Sequence, residues 1–197
     1  MKTRVTAYIG MGSNLGDGKA ILMEAWEALG EVEGIILDRI SSPYKTAPIE
    51  MISQHWFTNA VGRLEVTISP PELLKNLLEV EALFGRSRKN GTFGYQDRSL
   101  DLDLLYFGDI VMDDPDLTLP HPRISGRLFV LEPLAELSPD FIGDLMSERT
   151  VRQMVQDLRG QLTEKNGKSQ EIIRDTWDEF KPVGFGLHEN GQKEEQF

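Results

Sequence analysis

The chain has 197 residues, no cysteine and a formal net charge of −11, and 40% of its residues are apolar. This length and composition fit one soluble globular domain, or one domain with a tail, of the α/β or α+β class. We do not expect so acidic a chain to bind duplex nucleic acid, because that binding depends on neutralising phosphates. None of its apolar runs is long enough to span a membrane. Without cysteine we expect neither disulfides nor a thiolate site, and we expect a cytoplasmic protein.

The first half of the chain predicts one helix among three strands. Apolar residues at helical spacing indicate the helix, and Gly30 is its expected C-terminal cap. A short apolar run indicates a buried first strand, an apolar start indicates an extended second strand, and alternation of small or apolar residues with polar ones indicates the third. In chain order the predicted elements are a strand over 5–11, a glycine-rich loop over 12–18, the helix over 19–29, an extended strand over 35–44, a loop over 45–54 and a strand over 57–66.

The glycine-rich loop is close to a phosphate-binding P-loop without matching it. A P-loop has Gly, four residues and then Gly-Lys-Ser/Thr. Here Ser13 stands in place of the first glycine and Ala20 in place of the last hydroxyl. A tight turn between strand and helix is at least an equally good interpretation.

The second half begins with a strong helix start. Ser69 is a suitable N-cap, proline follows in the first turn, and Glu72 completes a capping box. Gly85 is expected to end this helix. The elements that follow are a basic loop over 86–97, a fourth strand over 98–107, a hairpin through 108–109 to 110–112, a loop over 113–125, a helix over 126–137 and a last helix over 150–159. Pro133 either bends the helix over 126–137 or resets its start.

The predicted order is β-α-β-β-α-β, followed by the hairpin and C-terminal helices. It matches the split β-α-β pattern of a ferredoxin-like α/β sandwich of the α+β class, in which an antiparallel sheet carries helices on its faces. We expect a domain over residues 1–160 and a polar tail over 161–197 that is flexible or partly helical. The apolar residues that could form one short amphipathic helix in the tail are Ile172, Ile173, Trp177 and Phe180.

Two aspartates share one face of the fourth predicted strand. Asp101 and Asp103 alternate with Leu100, Leu102 and Leu104, and strand side chains point to opposite faces with a period of two. The Cα atoms of the aspartates should lie about 6.6 Å apart. At that spacing both carboxylates can bind the same hard cations, which predicts a Mg²⁺ site. The alternative is a solvated outer face of an edge strand.

Basic residues precede these aspartates: Arg86, Arg88, Lys89 and Arg98. Guanidinium groups bind phosphate well because they stay charged and offer several donors. The flexible segment over 89–94 is suited to act as a lid. A basic solvated loop is the alternative. Carboxylates for a metal beside guanidinium groups for phosphate indicate chemistry on a polyphosphate.

Some single residues carry weaker signals. His121 lies between two prolines, where it could contact phosphate or act as an acid, although a lone loop histidine is more often incidental. Asn59 is unusual inside a strand, so we interpret it as a hydrogen-bonding group for something flat and polar. Aromatic residues such as Phe57 and Phe129 more often belong to a hydrophobic core, so alone they do not indicate a binding site.

Several motifs occur together and in one order. They are Gly12-Ser13-Asn14-Leu15-Gly16, Thr46-x-Pro48, Asn59-Ala60, Gly85-Arg86-x-Arg88, Arg98-Ser99-Leu100-Asp101-Leu102-Asp103-Leu104-Leu105 and Leu119-Pro120-His121-Pro122. Over about residues 3–159 the chain thereby resembles the 6-hydroxymethyl-7,8-dihydropterin pyrophosphokinase family. The resemblance implies a ferredoxin-like fold and transfer of diphosphate from ATP to the hydroxymethyl group of a reduced pterin, with release of AMP, in folate biosynthesis.

The resemblance also implies roles for individual residues. Two Mg²⁺ ions would be bound by Asp101 and Asp103 and would bridge the ATP phosphates. The catalytic residues would be Arg86, Arg98, Asp101 and Asp103. ATP would also contact Arg88, His121 and Arg127. The pterin would lie against Thr46, Ala47, Pro48, Phe57, Asn59 and Phe129.

One stretch departs from the family pattern. The family often has Trp-Gly-Pro before the arginine of the aspartate strand, whereas here the run Phe93-Gly94-Tyr95-Gln96-Asp97 is two residues longer. Phe93 could replace the tryptophan as a lid anchor. Asp97 could partly neutralise the neighbouring Arg98.

The expected partners are therefore ATP and a reduced pterin, with no nucleic acid and no membrane, and we expect a monomer. Two other functions stay open. One is a different two-metal nucleotidyl transferase or cyclase, which would attack the α-phosphate and release pyrophosphate. The other is a regulatory module on the same fold that binds a small ligand without catalysis.

Overall fold

The computed structural model describes residues 3–48, 55–85, 97–164 and 170–177. The strands in these ranges are β1 (Val5–Ser13), β2 (Ile35–Ile40), β3 (Tyr44–Thr46), β4 (Phe57–Val66), β5 (Asp101–Phe107), β6 (Met112–Asp114), β7 (Leu117–Leu119), β8 (Ile142–Asp144), β9 (Arg149–Thr150) and β10 (Ile172–Arg174). The helices are α1 (Gly18–Gly30), α2 (Pro70–Leu83), α3 (Leu128–Leu137) and α4 (Val151–Glu164), and a 3₁₀ turn covers Ile124–Gly126.

The main sheet has six strands in the order β10-β3-β4-β1-β5, and β2 also pairs with β4. In the part of the chain that the structure describes, its pairings are all antiparallel. The long strand β4 pairs with β3 near its start and with β2 near its end. Because α1 joins β1 to β2 with β4 between them, the arrangement is the predicted split β-α-β.

Helices cover both faces of this sheet. Ala7, Ile9 and Met11 of β1 belong to a core with α1 and α2, whereas Tyr8 belongs to a second core with α3 and α4. The alternation of β1 therefore supplies two hydrophobic cores. The α+β class and the ferredoxin-like sandwich are confirmed. Within the described ranges, none of the helices has the length and apolar character that crossing a membrane requires.

Local sequence signals correctly predicted β4 and the ends of α2. β4 covers Phe57–Val66 as predicted. At the start of α2, the backbone N–H of Ser69 donates to Glu72 Oε2 at 2.8 Å, which is the predicted capping box. Gly85 follows the helix with a φ of 80°, a left-handed conformation that glycine adopts without steric cost.

The prediction of Gly30 as a helix cap was wrong. The helix runs through Gly30, and its C-cap is Glu31 in a right-handed conformation. A Cβ on Gly30 would lie 2.8 Å from Cδ1 of Leu37. The glycine therefore lets α1 approach β2 closely, and the positive φ of 89° belongs to Gly34.

The strand predicted over 35–44 is two strands. β2 ends at Ile40 and β3 begins at Tyr44. Pro43, which precedes β3, has no N–H to donate to a sheet. Lys45 and Thr46, which were predicted to begin a loop, belong to β3 instead.

The region after β5 also differs from the prediction. β5 begins at Asp101 rather than Arg98, and 108–112 does not fold back as its hairpin partner. Instead β6 pairs with β7 inside the predicted loop. Met112 and Leu117 pack against the α1/α2 core and Leu119 is buried in it, so burial of these side chains favours the β6–β7 hairpin. The helix predicted from residue 126 begins at Leu128, after the 3₁₀ turn.

The C-terminal part of the chain contains a strand rather than the expected short helix. α4 continues to Glu164, so the expected boundary after residue 160 falls inside it. Ile172, Ile173 and Arg174 form β10, which pairs with β3 at the edge of the main sheet. Pairing with an open sheet edge outweighs the helical spacing of the apolar residues. Phe180 lies outside the described residues.

Candidate active site

The sheet face that carries the two aspartates is open because glycines stand opposite them. In the register of β1 and β5, Gly12 pairs with Asp101 and Gly10 pairs with Asp103. A Cβ on Gly12 would lie 3.0 Å from Oδ1 of Asn59. The two glycines therefore leave space beside the carboxylates.

The strand that holds the aspartates is fixed by a buried carboxylate. Leu102, which lies between Asp101 and Asp103, donates its backbone N–H to Glu81 Oε1 at 2.7 Å. Glu81 belongs to α2 and is only 2% exposed. Leu102 and Leu104 are buried in the α1/α2 core, so the aspartates point to the other face, as the alternation predicts. Sequence reasoning missed Glu81, whose only signal is a charged residue in the apolar stripe of a helix.

Two arginines face the two aspartates. Arg98 Nη1 lies 2.6 Å from Asp101 Oδ2, and Arg127 Nη1 lies 3.9 Å from Asp103 Oδ2. The Arg127 guanidinium also lies over the ring of Phe129, 5.4 Å from its centroid. Opposite charges at this spacing form a site that can accept both a cation and an anion.

Asn14 holds the backbone of Arg98 in place. Its Oδ1 accepts the Arg98 N–H at 2.7 Å, and its own N–H donates to the Arg98 carbonyl oxygen at 3.2 Å. Its Nδ2 donates to Asp97 Oδ1 at 2.6 Å. Asp97 thus contacts Asn14, and the Arg98 guanidinium contacts Asp101. Partial neutralisation of Arg98 by Asp97 stays a prediction. Sequence reasoning gave Asn14 no role, although it belongs to one of the motifs.

Burial and nearby charges shift two pKa values in the site. Burial, together with the charge of Asp101, raises the pKa of Asp103 above its ordinary value, and nearby cations oppose this rise. Burial lowers the pKa of His121, and the charge of Asp103 opposes that change. His121 Nδ1 accepts the Arg123 N–H at 3.2 Å, so the neutral ring carries its proton on Nε2. Its backbone N–H donates to the Leu105 carbonyl oxygen at 2.9 Å.

A polar pair forms the opposite wall. Asn59 Nδ2 donates to Thr46 Oγ1 at 2.8 Å, and both residues are buried. This contact explains why an asparagine is tolerated inside β4. The carbonyl oxygen of the Asn59 side chain approaches Gly12, next to the aspartates.

The two aspartates, their arginines, His121 and the Asn59–Thr46 pair meet at one cavity of about 480 Å³. Its walls include the predicted residues Thr46, Ala47, Phe57, Asn59, Arg98, Asp101, Asp103, His121, Arg127 and Phe129. The unpredicted residues in its walls are Gly10, Met11, Gly12, Ala60, Arg123 and Val130. Pro48 is described but is not one of the lining residues. The predictions for Arg86, Arg88 and Phe93 lie outside the described residues.

The aspartate pair has the donor chemistry for a Mg²⁺ site. Mg²⁺ prefers oxygen ligands and is often held by one or two carboxylates, with water and phosphate oxygens as its other ligands. Within the described ranges there is no group of three or more His, Cys, Asp or Glu residues arranged to hold a metal. A Mg²⁺ ion held by two carboxylates alone would keep coordination positions for water and substrate oxygens.

Comparison with known proteins identifies the family. The model of the family described as 7,8-dihydro-6-hydroxymethylpterin-pyrophosphokinase (HPPK) matches residues 8–139. The chain belongs to the HPPK family. It therefore catalyses pyrophosphoryl transfer from ATP to 6-hydroxymethyl-7,8-dihydropterin, a step in folate biosynthesis.

Curated relatives agree with this assignment. The chain is 39% identical over 152 residues to a 2-amino-4-hydroxy-6-hydroxymethyldihydropteridine pyrophosphokinase of Synechocystis, covering 77% of this chain and 75% of the relative. It is 37% identical over 152 residues to a protein of the same name from Methylorubrum extorquens, covering 77% of this chain and 92% of the relative.

A solved structure shows the same fold. A Plasmodium falciparum HPPK-DHPS triple mutant superposes with a TM-score of 0.68 at 13% identity. The match covers 88% of this chain and 48% of the Plasmodium chain, so this chain spans about half of that longer protein. At this identity the likeness supports the ferredoxin-like fold.

Proposed function

We propose that the cavity binds ATP and the pterin side by side, with Mg²⁺ at Asp101 and Asp103. The observation that carries this proposal is the pairing of Asp101 with Gly12 and of Asp103 with Gly10. It sets two carboxylates on an open floor, with arginines on one side and the Asn59–Thr46 pair on the other. The floor can therefore hold charged phosphates next to a flat heterocycle.

Two carboxylates beside open space have the oxygen donors that suit Mg²⁺, and the family resemblance implies two ions. Bound Mg²⁺ would neutralise negative charge on the phosphates and so favour attack by the pterin oxygen. Asp101 and Asp103 would be its protein ligands.

The arginines would hold the phosphates. Arg98 and Arg127 now pair with the aspartates, and they would turn to phosphate oxygens when ATP binds, since guanidinium groups form paired hydrogen bonds to phosphate. His121 lines the same wall and offers Nε2–H to a phosphate oxygen. Arg86 and Arg88 are proposed as further phosphate ligands on the basis of the family motif alone.

The pterin would bind between the aromatic rings and the polar wall. Phe57 and Phe129 line the cavity and can stack on a planar ring. Asn59, Thr46 and the backbone around Ala47 can bind its polar edge. Pro48 is proposed only as a neighbour of that edge, because it does not line the cavity.

The reaction would be direct. The hydroxymethyl oxygen of the pterin forms a bond to the β-phosphorus of ATP and releases its hydroxyl proton, the bond from that phosphorus to the α,β-bridging oxygen breaks, and AMP leaves. The protein contributes orientation and charge stabilisation, and it forms no covalent intermediate. Closure of neighbouring loops would exclude water from the reacting phosphate.

A product assay tests the mechanism. The chain is incubated with ATP, Mg²⁺ and 6-hydroxymethyl-7,8-dihydropterin, and nucleotides are separated by chromatography. We expect AMP and the pterin diphosphate in equal amounts, and no turnover after chelation until Mg²⁺ is restored. Pyrophosphate in place of AMP would indicate attack at the α-phosphate, and tight binding without turnover would indicate a ligand-binding module.

Variants of the aspartates test the metal site. We expect Asp101→Asn and Asp103→Asn to lower kcat by about 100-fold or more, with a raised requirement for Mg²⁺. Asp114→Asn is the matched control, because Asp114 is exposed on the β6–β7 hairpin. Equal activity of all three variants would overturn the assignment.

The oligomeric state and the location of the protein are also proposals. We propose a cytoplasmic monomer that neither binds nucleic acid nor associates with a membrane. Light scattering coupled to gel filtration tests the monomer, because a dimer would double the measured mass.

A further inference from the structure

The side chain of Gln170 brackets the backbone of a cavity residue. Its Oε1 accepts the N–H of Leu128 at 2.8 Å, and its Nε2 donates to the carbonyl oxygen of Gly126 at 2.8 Å. These two backbone groups flank Arg127 on either side. One carboxamide therefore fixes both peptide units that join at Arg127.

These two bonds supply what the start of α3 lacks. Arg127 is the N-cap of α3 in an extended conformation, with φ −126° and ψ 102°, and it makes no side-chain cap hydrogen bond. The first N–H groups of a helix have no partner within the helix. Gln170 binds one of them from outside and thereby holds the direction in which the Arg127 side chain leaves the backbone.

The same segment also contacts the opposite wall of the cavity. Ile172 pairs with Thr46 in the register of β10 and β3, and the N–H of Ala47 donates to the carbonyl oxygen of Glu171 at 3.3 Å. Three consecutive residues, 170 to 172, therefore join the wall of Arg127 and Phe129 to the wall of Thr46 and Ala47. Both walls line the cavity.

The far end of the segment is anchored away from the cavity. Trp177 Nε1 donates to the Ser41 carbonyl oxygen at 2.9 Å, and its ring packs against the α1/α2 core. Asp175 Oδ2 lies 3.0 Å from Lys19 Nζ. None of these three side chains lines the cavity. The segment is thus anchored independently of the cavity, which allows Gln170 to hold the Arg127 backbone in place.

We infer that Gln170 is a positioning residue of the pyrophosphokinase, holding Arg127 and Phe129 in the orientation that binds both substrates. This inference rests on the proposed assignment of the cavity to ATP and pterin. Gln170 lies outside residues 8–139, which match the family. The contact of Gln170 with the Arg127 backbone is therefore a feature of this chain's C-terminal segment.

The test compares three variants of the full chain. Gln170→Ala removes both hydrogen bonds to the Arg127 backbone. Gln170→Glu keeps the acceptor for Leu128 but sets a carboxylate oxygen against the Gly126 carbonyl. Arg174→Ala is the matched control: it removes contacts of the same C-terminal segment with Ser42 and Glu136, which are not lining residues. Thermal unfolding of each variant reports whether it folds.

We expect Gln170→Ala to raise KM for ATP and for the pterin by about five- to tenfold, with kcat within about twofold of the parent. Arg174→Ala should leave both KM values within about twofold of the parent. For Gln170→Glu, the KM ratio to the parent should fall as the pH is lowered toward about 5, because a protonated carboxyl can again donate to Gly126. A merely structural effect would not produce that pH dependence.

Other results would overturn the inference. They are unchanged KM values in Gln170→Ala, or an equal rise in Arg174→Ala. Calorimetric binding of ATP and pterin to the same variants separates this inference from the proposed function. A parent that binds but does not release AMP contradicts the function, while a loss of affinity confined to the Gln170 variants still supports the positioning role. A parent that binds neither ligand overturns both.

Discussion

Asn14 and Arg98 are joined by two hydrogen bonds, although 84 residues separate them. The Asn14 side chain accepts the N–H of Arg98, and the Asn14 N–H donates to the Arg98 carbonyl oxygen. The glycine-rich turn after β1 thus fixes the residue that precedes the aspartate strand. This gives the turn a role other than phosphate binding, and it makes Arg98 depend on a residue that directly follows β1.

Asn14→Ala removes the side-chain contacts to Arg98 and Asp97. We expect it to reduce the free energy of unfolding by about 1–3 kcal/mol. It should also lower kcat/KM for ATP, because the backbone from which the Arg98 guanidinium extends is no longer held in place. Chemical denaturation and initial rates measure the two effects. Asn14→Asp keeps the acceptor for the Arg98 N–H but repels Asp97, so it should fall between the parent and alanine; equal values for all three would contradict this role.

Glu81→Ala leaves the Leu102 N–H without its carboxylate partner in a buried setting. We expect a loss of about 2–4 kcal/mol in unfolding free energy, because an unsatisfied buried donor and a cavity both cost stability. Glu81→Gln keeps an acceptor oxygen and should be less destabilised. Urea unfolding of both variants decides this, and an alanine variant no less stable than the glutamine variant would rule out the hydrogen bond as the cause.

Gly12→Ala places a methyl group on the cavity floor. The added Cβ would lie 3.0 Å from Asn59 Oδ1 and next to Asp101, so we expect kcat/KM to fall by about tenfold through loss of substrate alignment. The control is Gly160→Ala in α4, where an added Cβ meets no atom within 4 Å. That control should be as active as the parent and as stable or slightly more so, since alanine favours helix.

Glu136 of α3 should make the stability of the protein depend on pH. Glu136 accepts hydrogen bonds from the Ser42 N–H at 2.9 Å and from Tyr44 Oη at 2.9 Å, and Arg174 lies 3.2 Å away. Burial raises the pKa of Glu136, but the bonds from Ser42 and Tyr44 and the charge of Arg174 outweigh it and lower the pKa below its ordinary value.

A carboxyl whose pKa is lowered in the fold stabilises above its unfolded pKa, and this contribution is lost as the pH falls through the folded pKa. We therefore expect Glu136→Gln to be less stable than the parent at pH 7, with the difference shrinking as the pH drops below about 4.3, the ordinary value for glutamate. Thermal unfolding across this range measures it. A difference that is constant with pH would show that ionisation of Glu136 does not contribute.

Short-range signals predicted much of the fold. The alternation of Leu102 and Leu104 with the aspartates gave the two faces of β5, and the Ser69–Glu72 capping box gave the start of α2. These features depend on residues that are neighbours along the chain. The antiparallel ferredoxin-like order followed from counting such elements.

Features that depend on distant partners were not predicted. β10 forms because β3 offers an unpaired edge, which the residues near Ile172 do not encode on their own. The roles of Asn14 and Gln170 likewise depend on backbone groups far away in sequence. Gly30 was misassigned because a glycine near a helix end signals a cap, whereas here the close approach of Leu37 requires it.

The glycines of β1 have a consequence for the mechanics of the site. Since Gly10 and Gly12 have no side chains, these two positions of β1 contribute no side-chain packing on the cavity face. On the opposite face, Ile9 and Met11 are buried between the sheet and helices α1 and α2. Removal of a single methylene group beneath the floor, as in Ile9→Val, would therefore alter the shape of the cavity floor, although Ile9 itself does not line the cavity.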